Sequence, residues 1–170
     1  MSSPKEPNPE FAQAVQDQHG GETLMLCFQC GTCTGSCPSG RMTSYRTRKL
    51  IRKAQLGLKE DVLKSPDLWA CTTCYTCMER CPRGVEIVDI ITILRNMAVK
   101  EGVMSDEHRK VGEYLLANGA TIPLNAKYED AREKLGLSRR PANVLGDKKA
   151  LEDMQKILKA VGFDKLVGGA

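Results

Sequence analysis

The chain has 170 residues, a formal net charge of +4 and 41% hydrophobic residues, which suits one domain with modest extensions. The small charge, with no aromatic residues interleaved among the Lys and Arg, argues against a nucleic-acid partner. The longest strongly apolar stretch, Ile87 to Leu94, is broken by Asp89 and Thr92 and falls far short of the ~20 residues that span a bilayer, so no direct membrane insertion is expected.

The opening residues lack the apolar region of a secretory signal, so a cytoplasmic chain with reduced thiols is expected. Residues 1–7 read as a tail. Asn8 is suited to cap a short helix over 9–18, with Pro9 at its first position and Gly20-Gly21 at its end. A first cysteine block fills 27–38. A helix is expected from Thr43 to Gln55, stopped by Gly57, with Leu50, Ile51, Ala54 and Leu58 as its apolar stripe. A short helix from Lys59 to Leu63 precedes a break at Ser65, Pro66 and Asp67, and a second cysteine block fills 71–82. From Val85 to Val99, Ile87, Ile90, Ile91, Leu94, Met97 and Ala98 recur at helical spacing. That wide stripe predicts a helix buried on most sides or packed on a partner. Ser105 caps a helix through Leu116, ended by Asn118 and Gly119. Tyr128 to Leu135 is weakly helical, and Asp147 caps a last helix from Lys148 to Ala160, ended by Gly162. No alternating strand pattern occurs, so the fold is mainly α.

Three Phe, four Tyr and one Trp stand against eight Cys, so a mostly aliphatic core is expected to draw help from disulfides or metal ligands. In a reducing compartment, clustered cysteines favour metal. Cys27, Cys30, Cys33, Cys37 and Pro38 recur 44 positions later as Cys71, Cys74, Cys77, Cys81 and Pro82. Such a repeat predicts two like sites in pseudo-symmetric halves. Each block has the form C-x2-C-x2-C-x3-C-P, the bacterial run that holds [4Fe–4S] cubanes. Thiolates suit such clusters as soft anionic donors, and two-residue gaps let one loop wrap three corners. In two-cluster ferredoxins the fourth cysteine serves the other cluster. One cluster is therefore expected on Cys27, Cys30, Cys33 and Cys81, and the other on Cys71, Cys74, Cys77 and Cys37. Zinc is the alternative, but it needs four ligands, usually as two separated pairs, whereas each run here supplies four cysteines and a proline.

Other candidates carry less. His19 and His108 are isolated, no glycine-rich phosphate loop follows a strand, and no nucleophile–base pair stands out, so no catalytic residue is expected. Leu26, Phe28, Leu68, Trp69, Tyr75 and Val85 flank the cysteines, either as ordinary core or as a shield that tunes the clusters. Arg41, Arg46, Arg48, Lys49, Arg52 and Lys53 carry six positive charges with no acid between Gly40 and Lys59. They form a solvated helix face, offset the charge of the clusters, or dock an acidic partner.

The run from Cys27 to Gly40 (CFQCGTCTGSCPSG), Ser44 to Lys49 (SYRTRK) and Leu68 to Ile87 (LWACTTCYTCMERCPRGVEI) resembles the iron–sulfur C-type subunit of the heterodisulfide reductase of methanogenic archaea. The resemblance covers residues 8–102, and the eight cysteines match the family's ligands one by one. It implies an α-helical ferredoxin fold with two cubane clusters and additional C-terminal helices. The implied division is 1–20 as tail and short helix, 21–102 as the two-cluster domain and 103–170 as a helical extension. It also implies an electron-relay subunit of a cytoplasmic complex. Electrons would pass from a flavin-containing, bifurcating subunit to a CCG-domain subunit, which reduces the mixed disulfide of coenzymes M and B in methanogenesis. FAD is then expected only on the flavin-containing partner, and a hydrogenase or formate dehydrogenase feeds the complex. The chain lacks the CCG repeats of the disulfide-reducing partner, so no substrate site is expected on it. The other reading of the same class is an iron–sulfur subunit of a glycerol-3-phosphate or succinate/fumarate oxidoreductase. Against it stand the absent [2Fe–2S] domain and the absent fused CCG domain.

Overall fold

A computed structural model describes residues 6–123 and 125–168, so the first five residues of the expected tail lie outside it. Among the described residues there is no strand, and the fold is mainly α. The helices are α1 (Pro9–Gln16), α2 (Thr32–Ser36), α3 (Pro38–Met42), α4 (Thr47–Gln55), α5 (Lys59–Leu63), α6 (Thr76–Glu79), α7 (Ile87–Lys100), α8 (Asp106–Asn118), α9 (Ala126–Lys134), α10 (Lys148–Ala160) and α11 (Phe163–Gly168). Single 3-10 turns at Leu24–Leu26 and Pro66–Ala70 lead into the two cysteine blocks, and a third lies at Val144–Gly146. No helix is long and apolar enough to cross a membrane among the described residues. Contacts divide the chain into two compact units, one ending at Val103 and one beginning at Met104.

In the first unit, α1, α4, α5 and α7 enclose an aliphatic core. Ile87, Ile90, Ile91 and Leu94 of α7 are buried against Leu50, Ile51 and Ala54 of α4 and Val62 and Leu63 of α5. Each Val, Leu or Ile side chain among them contributes about 1.5–3 kcal/mol on leaving water. α1 starts where expected, with the Asn8 side chain accepting from Phe11 N–H and Pro9 at its first position. It ends at Gln16, two residues early. Gly57, with φ +69°, closes the turn after α4, and Asn8 N–H donates to its carbonyl at 2.9 Å. A Cβ there would lie 2.2 Å from the Asn8 carbonyl oxygen.

The helix expected from Thr43 begins only at Thr47. Thr43 is extended, and the Arg46 side chain closes an elbow ahead of the helix. Its guanidinium donates to the carbonyls of Gly40, Thr43 and Tyr45, and the elbow sinks Tyr45 into the core. Leu58 falls beyond the helix and is half-buried.

In the second unit, α8 packs on α10 and α11. Ser105 caps α8 through His108 N–H, and Asp147 caps α10 through the amides of Lys149 and Ala150. Gly112 of α8 lets Val167 approach, since a Cβ there would lie 2.7 Å from Val167 Cγ2. α11 escapes a sequence reading because Gly162 already ends the preceding pattern.

Candidate metal centre

The two cysteine loops repeat in backbone as well as in sequence. Each starts where a 3-10 turn gives way to extended chain, at Cys27 and at Cys71. Gln29 (φ +66°) and Gly31 (φ +87°) bracket Cys30, and Thr73 (φ +52°) and Tyr75 (φ +61°) bracket Cys74. Left-handed backbone costs a non-glycine residue about 1–2 kcal/mol, so Gln29, Thr73 and Tyr75 are held there by the loop. Alternation of left-handed residues with ordinary backbone is the pattern from which anion-binding backbone nests are built. Short helices follow, α2 after Gly31 and α6 after Tyr75, and the two pack together.

Exposure repeats too. Cys33 and Cys77 are buried, Cys30 and Cys74 are exposed, and the remaining four cysteines are in between. The Thr32 hydroxyl lies 3.4 Å from Cys30 Sγ and that of Thr76 lies 3.5 Å from Cys74 Sγ. These hydroxyls hold both thiols below their usual pKa. Burial instead pushes Cys33 up and Cys77 up to about 12, with neighbouring thiols adding to the effect at Cys77. A buried thiolate at those two positions calls for a bound cation. The fourth cysteines accept backbone bonds, Cys37 Sγ from Gly40 N–H at 3.4 Å and Cys81 Sγ from Val85 N–H at 3.3 Å.

Side chains behind the loops hold them in place. Gln55 of α4 donates to the carbonyls of Leu24 (3.1 Å) and Cys27 (2.8 Å). Its Oε1 accepts from Gln29 Nε2, which also reaches Cys27 Sγ at 3.3 Å. Arg95 of α7 donates to the carbonyls of Leu68 (2.9 Å) and Cys71 (2.6 Å). Arg48 fastens the first loop from outside, donating to Gln29 O, while its own N–H donates to Thr34 Oγ1. None of Gln55, Arg95 or Tyr45 stands out in the sequence, because their partners are carbonyls and thiols distant in the chain.

The donor set fits iron–sulfur clusters. All eight thiols are free of disulfides, and they lie in two loops of matching shape. The Tyr45 hydroxyl is buried without a hydrogen-bond partner. Burial holds the phenol above its usual pKa against a downward pull from Thr47, and Cys71, Cys37 and Cys77 each add a smaller upward push. An orphaned donor beside three thiols suits a thiolate or cluster sulfur as its acceptor.

Of the flanking apolar residues, Leu68 and Val85 are buried and Trp69 is half-buried, whereas Leu26, Phe28 and Tyr75 are exposed. The shield is therefore partial. His19 lies exposed beside Glu22, and the His108 ring meets Ser105. Arg46, Arg48, Lys49, Arg52 and Lys53 line a groove of about 540 Å³ with Gln29 and Thr34 of the first loop. Arg46 is spent on carbonyls, and Lys53 lies 4.0 Å from Asp61.

Residues 23–85 match the protein-family model of the 4Fe-4S dicluster domain. The chain is 49% identical over 159 residues to the C subunit of the H(2):CoB-CoM heterodisulfide,ferredoxin reductase of Methanothermobacter marburgensis, covering 94% of this chain and 85% of that protein. It is 48% identical to the iron-sulfur C subunit of the CoB–CoM heterodisulfide reductase of Methanopyrus kandleri, covering 94% of this chain and 83% of that protein. Against the C subunit of the ferredoxin/F(420)H(2)-dependent CoB-CoM heterodisulfide reductase of Methanosarcina acetivorans the identity is 50%, covering 86% of this chain and 91% of the relative. The matched domain and the eight thiols are those of a protein that carries two [4Fe–4S] clusters.

Proposed function

Because the chain belongs to the family of heterodisulfide reductase C-type subunits, electron-transfer iron–sulfur members of a multisubunit oxidoreductase, we propose that it relays single electrons from a flavin-containing, bifurcating partner to a disulfide-reducing one. The observation that carries this reading is the matched exposure of the cysteines on the two loops. Cys30 and Cys74 are exposed, one on each loop, while Cys33 and Cys77 are buried and close enough for charge at Cys33 to raise the Cys77 thiol. An exposed ligand on each loop and a buried pair in electrostatic contact suit a wire with an entry and an exit.

Cys27, Cys30, Cys33 and Cys81 hold one cluster, and Cys71, Cys74, Cys77 and Cys37 hold the other. The exchange of fourth ligands is supported by Tyr45, whose electrostatic neighbours are Cys37, Cys71 and Cys77 together. Bound there, each cluster accepts and releases one electron. The chain's residues supply the rest. Gln55 and Arg95 fix the loops, the Thr32 and Thr76 hydroxyls donate to exposed thiolates, and α4 and α7 exclude water from one side. Opening a disulfide takes two electrons, so that chemistry belongs to the CCG-domain partner, where both are collected. Residues 21–102 form the redox domain and 103–170 a helical extension, in a cytoplasmic complex fed by a hydrogenase or formate dehydrogenase.

Anaerobic purification of the native complex tests this. A flavoprotein and a CCG-domain protein should co-purify with the chain, and removing the chain should stop reduction of the heterodisulfide by the reduced flavoprotein. Co-purification with a succinate or glycerol-3-phosphate dehydrogenase flavoprotein would overturn it. So would unchanged transfer between the two partners without this chain.

A further inference from the structure

The two halves place the same clamp on the same backbone atoms, but with different charge. Leu24 and Cys27 of the first half stand 44 positions before Leu68 and Cys71 of the second. The first pair of carbonyls is held by Gln55, a neutral amide, at 3.1 and 2.8 Å. The second pair is held by Arg95, a permanent cation, at 2.9 and 2.6 Å. Arg95 is half-buried, its guanidinium lies 5.7 Å from the centroid of the Trp69 ring, and no carboxylate pairs with it among the described residues. The residue matching Trp69 in the first half is Met25, which is exposed. The first half does have a cation near its loop, since Arg48 contributes to lowering the Cys30 thiol, but Arg48 is exposed and screened by water and salt.

Adding an electron to a cluster adds negative charge, and a partly desolvated cation next to a ligand favours that state. Behind Cys27 the cation at the clamp is Arg52, whose guanidinium donates to Gln55 Oε1 at 3.4 Å, but it is exposed and screened by water and salt. We infer that Arg95 is a positioning residue that gives the relay its direction, making the cluster bound by Cys71 the more easily reduced of the two, so that electrons run from the Cys27 loop to the Cys71 loop. The Tyr45 hydroxyl, beside Cys71, Cys77 and Cys37, adds a donor on the same side. The inference rests on Cys71 being a cluster ligand, as the proposed function has it.

Potentiometric titration of the anaerobic, cluster-loaded protein, followed by EPR, tests it with two substitutions. Arg95→Gln copies the first half's clamp and should lower one midpoint by at least a tenfold change in the oxidised-to-reduced ratio, 59 mV for one electron, and leave the other in place. Arg95→Lys should retain the wild-type values. Gln55→Arg, which needs no loss of a clamp, should raise the other midpoint. Full iron content with both midpoints unmoved in Arg95→Gln would overturn the inference and leave the ligand assignment intact. If Arg95→Gln loses iron, an unmoved pair of midpoints in Gln55→Arg overturns it instead. A Cys71→Ala protein that keeps both clusters would overturn the ligand assignment first.

Discussion

Substituting Cys37 by Ala separates exchanged fourth ligands from ligands kept within each block. Cys37 also caps α3 through Gly40 N–H, so the substitution removes a capping acceptor as well as a thiol. A lost cap costs about 1 kcal/mol, against a stability of roughly 5–15 kcal/mol for a typical domain. That is too little to strip a cluster by unfolding, so lost iron reports lost ligation. Two cubanes bring about eight irons per chain, and Cys37→Ala should remove about four. The pairing of substitutions then decides which four. Under exchange, Cys37→Ala with Cys74→Ala strikes one site twice and keeps about four irons, whereas Cys37→Ala with Cys30→Ala damages both sites and leaves almost none. Iron and sulfide quantification after anaerobic reconstitution, with EPR of the reduced proteins, measures this. The reverse pattern, about four irons with Cys30→Ala and almost none with Cys74→Ala, would refute the exchange.

The basic groove should dock an acidic partner surface. Arg48 holds the first loop and Arg52 bonds its clamp Gln55, so charge reversal is best confined to Lys49→Glu, which should weaken assembly steeply as salt rises. Binding that is equally tight at low and high salt in both proteins would leave α4 as a solvated face. Gly57→Ala should destabilise the first unit by about 2 kcal/mol or more, since φ is +69° and the Cβ would lie 2.2 Å from the Asn8 carbonyl oxygen. Denaturant unfolding of the loaded protein checks it, and an unchanged midpoint would sink the argument. Asp147→Ala should cost about 1 kcal/mol by uncapping α10. Faster amide exchange in α10 with unchanged iron content is expected, and loss of iron would contradict the placing of that helix outside the redox unit.

The caps and the cysteine spacing made much of this chain legible. Asn8, Ser105 and Asp147 sit where the sequence places them, because a cap is a local hydrogen bond between near neighbours. The wide stripe of α7 was legible for a similar reason, and its burial is that of a helix inside the unit. The late start of α4 was not, because it depends on Arg46 reaching three carbonyls and on Tyr45 finding the core. The cysteines announced the clusters, but not what stands behind them. Gln55, Tyr45 and Arg95 meet the loops at sequence separations that no window spans, and each looks like an ordinary helix or loop residue until the fold brings it there.

The clamps behind Cys27 and Cys71 have a consequence for speed. An electron that arrives must not wait for its surroundings to rearrange, and any sulfur that shifts on reduction adds to the barrier for the next hop. Each loop's leading carbonyls are tied to a long helix, its fourth cysteine is tied to a backbone amide, and its second cysteine sits between two left-handed residues. A frame restrained at so many points keeps nearly the same shape whichever charge it holds, because its dipoles are already aimed before the charge arrives. The left-handed backbone of Gln29, Thr73 and Tyr75 is the cost at which the folded loops hold that frame.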